Sequence, residues 1–278
     1  MLARDASVEC FDRVDRVDRE CCWCHVHRSH LLPHLAKHVE AADRDLGLAV
    51  VDQWYINVST RAVEVCGDMN GGQVIDKILP GQTVHGTLRC RTGSGRVVLR
   101  RDDGCWTTIR TKDGKSRLSP ATVFDQWYIC VIPDSINVRC GPELSTSLVR
   151  TIQPGEAVRG VLTCCSSGGR LRLRLEDGNW TSLCSNDGQA YFREATYVNQ
   201  WYVSVQPDGQ HGHRSLDPDT GVTGHIRFGQ AVHGNFLCHA GNGDLRLKLD
   251  DGTWTTVASC GLLFLEEASA FEQTISAF

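Results

Sequence analysis

Alternation of apolar and charged residues marks the strands of this chain. Residues 170–175 alternate arginine with leucine, and residues 245–249 alternate leucine with a basic residue. A period of two turns successive side chains to opposite faces of a β-strand. We therefore predict a strand at each place, with the leucines facing inward and the basic residues facing outward.

Turn signals separate the apolar runs. Asp-Gly pairs follow three such runs, at residues 103–104, 177–178 and 251–252. They predict tight hairpins, and Pro-Gly at 80–81 and 154–155 fits the centre of a type II turn. The other predicted strands lie at residues 54–58, 63–65, 84–90, 127–131, 137–139 and 158–164. Five or six short strands in each unit predict a small β-barrel.

The pattern occurs three times at a nearly constant period. Its landmarks are the Trp-Tyr pairs at 54–55, 127–128 and 201–202, the tryptophans Trp106, Trp180 and Trp254, and the glycines Gly81, Gly155 and Gly229. The period, which is the distance in sequence from Trp106 to Trp180, exceeds the roughly 20–50 residues of solenoid repeats and approaches the size of a domain that folds alone. We predict three loosely joined units. Closure of three equivalent repeats into one β-trefoil-like body with a shared core is the alternative.

The period divides the chain into five parts. They are an N-terminal extension at 1–50, repeats at 51–124, 125–198 and 199–268, and a C-terminal tail at 269–278. The extension is rich in cysteine and histidine and is predicted to be partly helical or disordered. Trp106, Trp180 and Trp254, each just after a predicted hairpin turn, are expected in the barrel cores.

The middle repeat carries a recognisable series of motifs. Residues 136–142 read Ile-Asn-Val-Arg-Cys-Gly-Pro, a Pro-Gly turn follows, and residues 178–180 read Gly-Asn-Trp. The series resembles the bacterial-type SH3-like (SH3b) domain family, although the first and third repeats lack the Asn-Val-Arg triplet. The resemblance implies a binding module, with peptidoglycan or peptides as partners in cell-wall hydrolases and other proteins elsewhere. We predict an all-β chain of three tandem small SH3-like β-barrels preceded by the short extension.

Composition and charge argue against some classes of partner and some cellular compartments. The formal net charge is -4, whereas nucleic-acid-binding proteins usually carry a basic domain or stripe. No apolar run approaches the roughly 18 residues of a membrane-spanning helix, and the first residues lack the apolar core of a signal peptide. We expect no nucleic acid partner, no membrane partner, and a location in the cytoplasm or nucleus.

The cysteines are expected to be reduced. Fourteen cysteines are about 5% of the chain, below the roughly 8–10% of disulfide scaffolds. Cys90, Cys164 and Cys238 are separated by the same period as the tryptophans, which fits one buried thiol at the same place in each repeat.

The candidate binding residues are aromatic and basic. Neighbouring residues on a strand face opposite ways, so one member of each Trp-Tyr pair is expected inside and the other at a groove, where exposed aromatic rings anchor partners. The groove candidates are Trp54, Tyr55, Trp127, Tyr128, Trp201 and Tyr202. Arg100, Arg174 and Lys248 share one register, and Arg172 and Arg246 share another, so a basic stripe is expected on each outer face. It would bind anions or, given its acidic neighbours, keep the surface solvated.

A metal site is the main alternative. Cys21 and Cys24 have the spacing of a zinc-binding pair, and His30 and His34 lie four residues apart, as on one helix face. Only five residues separate the two pairs, so a charged extension without metal competes with a zinc site. We expect no other cofactor.

Catalysis is not expected. About 50 residues lie outside the repeats, too few to position a nucleophile, a base and an orienting group. The sequence therefore predicts a non-catalytic multivalent binding or scaffold protein for a protein, peptide or glycan partner. The alternative is a zinc-dependent regulatory protein governed by the N-terminal cluster.

Overall fold

The structure is a computed structural model that describes residues 47–218 and 221–268. These residues form 20 β-strands and no helix, so the all-β prediction is confirmed for them. Within these ranges there is no helix with the length and apolar character needed to cross a lipid bilayer. Nearly all of the predicted extension and the whole predicted tail lie outside the described residues.

The strands form three consecutive segments, which we call segments 1, 2 and 3. Segment 1 contains β1 (Ala49–Asn57), β2 (Val63–Cys66), β3 (Val74–Ile78), β4 (Thr83–Arg91), β5 (Val97–Arg101) and β6 (Trp106–Arg110). Segment 2 contains β7 (Leu118–Cys130), β8 (Ile136–Arg139), β9 (Leu148–Ile152), β10 (Ala157–Cys165), β11 (Leu171–Leu175) and β12 (Trp180–Ser182). Segment 3 contains β13 (Phe192–Ser204), β14 (Gln210–His213), β15 (Val222–Ile226), β16 (Ala231–His239), β17 (Leu245–Leu249), β18 (Trp254–Ser259), β19 (Leu262–Leu263) and β20 (Leu265–Glu267).

The same antiparallel pairings occur in each segment. In segment 1 the order is β1, β4, β5, β6, β2, β3. Segment 2 has β7, β10, β11, β12, β8, β9, and segment 3 has β13, β16, β17, β18, β14, β15. The predicted hairpin glycines Gly104, Gly178 and Gly252 have φ values of 85°, 84° and 84°. Positive φ is the conformation that favours glycine at these turns.

Two long strands are shared between segments. The first part of β7 pairs with the end of β1, where Ile56 lies opposite Ser119, and the second part pairs with β10. In the same way β13 begins on β7, where Ala195 lies opposite Trp127, and continues on β16. The predicted boundaries at 124/125 and 198/199 therefore fall inside continuous strands. The picture of loosely joined units is corrected, because backbone hydrogen bonds run through both boundaries.

Each segment also has its own buried cluster. Each cluster contains a tyrosine of the first strand and a fully buried leucine: Tyr55 and Leu99, Tyr128 and Leu173, and Tyr202 and Leu247. A glycine faces each leucine, at Gly86, Gly160 and Gly234. A Cβ at Gly86 would lie 2.4 Å from Leu99, so this position must be glycine for the leucine to enter the core.

Two further buried clusters join neighbouring segments. In the first junction Trp180 packs with Ile56 and Val58 of segment 1. In the second junction Trp254 packs with Ile129 of segment 2. Trp180 and Trp254 are 2% and 1% exposed. The expectation that they fill the core of their own unit is corrected, because their strands turn them outward, onto the preceding segment.

The junctions also bury two arginines that the sequence places in a solvated stripe. Arg172 and Arg246 are each 1% exposed. The Arg172 guanidinium donates to Ser182 Oγ at 2.6 Å and to the Trp180 carbonyl at 3.4 Å. Burial lowers the pKa of Arg172 to about 10 and lowers that of Arg246. They do lie on the outer face of their strands, as predicted, but the junction covers that face.

The predicted thiols lie close to these arginines. Cys90, Cys164 and Cys238 are buried and unpaired, which confirms the prediction for them. Cys164 lies directly opposite Arg172 on the neighbouring strand, and Cys238 lies opposite Arg246. Burial raises the pKa of Cys164 and raises that of Cys238 to about 11, so both thiols stay protonated at neutral pH.

Candidate functional site

A tryptophan, a histidine and a carboxylate meet on the outer surface of segment 1. Trp54 on β1 lies directly opposite His85 on β4, and the two ring centres are 5.1 Å apart. Asp52 Oδ1 is 2.8 Å from His85 Nε2. The carboxylate thus orients the imidazole beside the exposed indole, and Trp54 is 42% exposed.

Segment 3 has the same arrangement. Trp201 on β13 lies opposite His233 on β16, again with ring centres 5.1 Å apart. Here Asp250 supplies the carboxylate, 2.9 Å from His233 Nδ1, and accepts a bond from Asn235. The hydrogen bond from His233 lowers the pKa of Asp250.

Segment 2 replaces histidine with arginine. Trp127 on β7 lies opposite Arg159 on β10. The guanidinium makes two hydrogen bonds of 2.6 Å to Asp125 and a third, of 3.2 Å, to Glu176. These bonds lower the pKa of Asp125 and raise that of Arg159, so both groups are charged over the whole physiological pH range.

His85, Arg159 and His233 were not predicted as site residues, although the sequence carries a signal for them. His85, Arg159 and His233 are separated by the same period as the tryptophans, and each immediately precedes one of the packing glycines. A histidine or arginine at one register in all three repeats, next to a required glycine, would have identified them. His233 lies within β16, a strand of the sheet's third segment.

A cluster of three aromatic rings lies at the surface where segments 2 and 3 meet. Trp127 stacks on Tyr197 with ring centres 5.9 Å apart and planes 30° apart. Phe236 packs against both, at 5.1 Å from Trp127 and 5.3 Å from Tyr197. Tyr197 is 50% exposed. At the same place between segments 1 and 2, Val123 and Leu162 take the positions of Tyr197 and Phe236; Val123 is exposed, Leu162 is buried, and neither is aromatic.

The structure separates the six aromatic groove candidates into two groups. Trp54 is exposed, and Trp127 and Trp201 are half-buried at the surface. Tyr55, Tyr128 and Tyr202 are buried in the three cores, so they are not available to a partner. The groove assignment of the tyrosines is therefore corrected, because their register faces the buried leucines.

The three basic candidates also differ from one another. Arg100 is exposed and Arg174 is half-buried. Lys248 donates a hydrogen bond from Nζ to the carbonyl oxygen of Gly155 at 2.6 Å, which ties segment 3 to segment 2. Lys248 is therefore a junction residue, and the three do not form one binding stripe.

A second concave surface lies beside Trp106. The pocket has a volume of about 410 Å³, and its lining combines apolar and basic side chains, including Met69, Val74, Arg61, Arg96 and Arg117. Trp106 is half-buried, unlike Trp180 and Trp254.

Residues 47–218 and 221–268 contain no cluster of three or more side chains that could hold a metal ion. The zinc candidates Cys21, Cys24, His30 and His34 lie outside the described residues. The zinc-dependent alternative therefore stays a prediction.

Comparison with protein-family models and with curated protein sequences gives no match. Among solved structures, the chain is similar to the crystal structure of Ly7917, with 14% identity, a TM-score of 0.22, and coverage of 51% of this chain and 66% of that one. Ly7917 with the hydrolyzing product of MDP gives 13% identity, a TM-score of 0.22, and coverage of 51% and 67%. NlpC2 from Trichomonas vaginalis gives 10% identity, a TM-score of 0.19, and coverage of 79% and 96%. TM-scores this low support no conclusion about the fold or function of this chain.

Proposed function

We propose that this chain is a non-catalytic, multivalent binding or scaffold protein of the cytoplasm or nucleus. Its three segments act as tandem small SH3-like β-barrels of the SH3b type, and each offers a surface site to a protein, peptide or glycan partner. The observation that carries the proposal is the recurrence of one surface constellation. Trp54, Trp127 and Trp201 each lie opposite a histidine or an arginine that is hydrogen-bonded to a carboxylate.

The chemistry of the constellation suits recognition. An indole offers a large, stiff contact area, and its burial by a partner costs little side-chain entropy. The neighbouring histidine or arginine and the carboxylate offer hydrogen-bonding groups for the polar groups that surround an apolar ligand face. Because these side chains already bind each other, their positions are fixed before a partner arrives, which lowers the cost of association.

The strongest of the three sites is the one in segment 2. Its Trp127 is extended by Tyr197 and Phe236 into a three-ring surface, and Arg159 and Asp125 lie beside it. A flat apolar face, such as that of a sugar ring or an aromatic side chain, fits such a surface. Segments 1 and 3 offer one tryptophan each with the same polar neighbours.

The shared strands determine how several sites act together. Because β7 and β13 run through both junctions, the sites are held by a continuous sheet. Tethered sites raise the effective concentration of the second contact only if the partner can reach both. A partner with repeated binding elements would therefore gain most.

Three of the thiols in the described sheet are unsuited to act as nucleophiles. The thiols of Cys90, Cys164 and Cys238 are buried, and burial raises their pKa. A protonated, buried thiol is a poor nucleophile.

The test is binding of the full chain to three probes: a soluble peptidoglycan fragment, a chitin oligosaccharide and an immobilised peptide library. We expect at least one probe to bind, and Trp127→Ala to weaken it at least tenfold. Trp54→Ala and Trp201→Ala should give smaller losses, and the triple variant should abolish capture. Leu79→Ala, which removes an exposed apolar side chain from a turn, is the matched control and should bind normally. Unchanged binding by the triple variant, or failure of every probe to bind the wild type, would contradict the proposal.

A further inference from the structure

The two junctions inside the chain use the same pair of faces. We call the outer face that carries Trp106, Trp180 or Trp254 the leading face of its segment. The trailing face is the apolar pair at the end of the first strand: Ile56 and Val58, Ile129 and Val131, or Val203 and Val205. In the first junction the trailing face of segment 1 packs on Trp180, and in the second that of segment 2 packs on Trp254.

One leading face and one trailing face have no counterpart among the described residues. Trp106 belongs to none of the buried clusters that the described residues form, and it is half-buried, whereas Trp180 and Trp254 are almost fully buried. Val203 is also half-buried, whereas Ile56 and Ile129, at its register, are 0% exposed. Within residues 47–218 and 221–268, segment 1 therefore presents an open leading face, and segment 3 an open trailing face.

The open leading face has the shape to receive an apolar side chain. The pocket of about 410 Å³ lies beside Trp106, and Val98 and Met69 are part of its lining. In segments 2 and 3 the corresponding tryptophan surface is already filled by the isoleucine of the preceding segment. A valine of matching register, such as Val203, would fill the same place.

The charges on the two open faces are opposite. Arg61, Arg96 and Arg117 line the pocket on the leading face, against Glu64 and Asp68. On the trailing face Glu266 lies directly opposite Val203 on β20 and is exposed, and Glu267 follows it.

A charge pair also lies beside the second junction. Arg193 is on the part of β13 that pairs with segment 2, opposite Ile129, and it donates to Asp217, also of segment 3, at 3.0 Å. The open faces carry the same kind of pair with its signs reversed, since Glu266 occupies the register of Arg193.

From this repetition we propose that copies of this chain associate head to tail, with the trailing face of segment 3 of one copy on the leading face of segment 1 of the next. The contact is heterologous, so each copy in a pair keeps one free face and the assembly can lengthen. No strand continues from one copy into the next, as β7 and β13 do at the internal junctions. The association between copies therefore depends on protein concentration. The inference is independent of the proposed ligand sites.

The test is sedimentation velocity of the full chain over a concentration series from low micromolar to millimolar. We expect the weight-average sedimentation coefficient to rise with concentration, and to rise less at high salt because screening weakens the charge pairs. Trp106→Ala and Val203→Glu should each raise the dissociation constant at least tenfold. Leu148→Ala, an exposed apolar residue of segment 2 outside both open faces, is the matched control and should leave the series unchanged.

A mixing experiment distinguishes the head-to-tail contact from a symmetric one. Trp106→Ala keeps an intact trailing face, and Val203→Glu keeps an intact leading face. An equimolar mixture should therefore form a one-to-one dimer that grows no further, although neither variant associates alone. In a symmetric dimer two damaged partners would not restore each other.

A pair of surface variants tests the same contact without relying on the folding of Val203→Glu. Glu266→Arg changes an exposed side chain and should weaken association through repulsion, and its mixture with Arg96→Glu should recover it. A wild-type chain that stays monomeric at every concentration overturns the proposal, including the case in which residues 1–46 or 269–278 cover an open face. A symmetric dimer that the end variants leave unchanged overturns it as well.

Discussion

Lys248 Nζ donates a hydrogen bond to the carbonyl oxygen of Gly155 at 2.6 Å, joining residues that are 93 positions apart in the chain. Gly155 lies in a turn of segment 2, and Lys248 lies on the outer face of β17 in segment 3. Partial burial lowers the pKa of Lys248, against the opposing effect of Glu156. The second junction therefore combines an apolar cluster with a charge-assisted hydrogen bond.

Replacing this lysine should weaken the junction. Lys248→Met removes the donor and leaves the Gly155 carbonyl without it, so we expect a loss of about 1.5–3 kcal/mol in the free energy of unfolding measured with urea. Arg100→Met is the matched control, because Arg100 has the same register in segment 1 and is exposed. It should change the free energy of unfolding by less than about 0.5 kcal/mol. Equal losses in the two variants would count against a structural role for the bond.

The junction tryptophans should contribute more to stability than the open one. Trp180→Ala leaves a cavity between segments 1 and 2, and we expect a loss of about 3–5 kcal/mol in the free energy of unfolding. Trp106→Ala should cost no more than about 2 kcal/mol, because Trp106 is only half-buried in the folded chain. Urea titrations at micromolar concentration measure the free energy of unfolding of both variants. A loss for Trp106→Ala as large as that for Trp180→Ala would show that Trp106 is also packed in a core.

Arg172 should be replaceable by an apolar side chain of similar length. Its buried guanidinium bonds only neutral acceptors, and its Nε has no partner. Arg172→Met removes the cost of burying this charge, which offsets the two lost hydrogen bonds, so we expect a change below about 1 kcal/mol in the free energy of unfolding. Arg172→Ala leaves a cavity as well and should cost about 2–4 kcal/mol. If both variants lose the same amount, the charge itself stabilises the junction.

The thiol of Cys164 should report on the first junction. Cys164 packs with Trp180 and is buried, whereas Cys140 is exposed. Since burial raises the pKa of Cys164, we expect iodoacetamide to alkylate it at least tenfold more slowly than Cys140 in the native chain. In Trp180→Ala its rate should rise at least tenfold. Rates are measured for each cysteine by peptide mass spectrometry. Fast alkylation of Cys164 in the wild type would indicate that the junction opens readily.

The strands could be predicted because they depend on local pattern. The leucines of 171–175 and 245–249 and the Asp-Gly turns indicated β11, β17 and the hairpins that follow them. Alternation also predicted that the members of each Trp-Tyr pair face opposite ways. The alternation could not tell which ring faces the core, because either ring is large enough to fill it. That choice follows from the register of Tyr55 with Leu99 across the segment.

The candidate site was predicted only in part. The tryptophans were found through their period, but His85, Arg159 and His233 were missed because the pairing of distant strands places them opposite those rings. Tyr197 and Phe236 have no aromatic counterpart in segment 1 or 2, so no repeat pointed to them. Their contact with Trp127 exists only because β13 runs from one segment into the next.

By itself, the sequence determined the strands, the turns and the threefold repetition, because side-chain alternation and glycine conformation are local properties. The tertiary structure decided which outer faces are covered. The outward side of β11 reads as a solvated basic stripe, yet Arg172 is buried, and Trp180 packs on the segment before it. The reason is physical: a strand specifies two faces by its pattern, but only the packing of another segment determines whether the outer face meets water or protein.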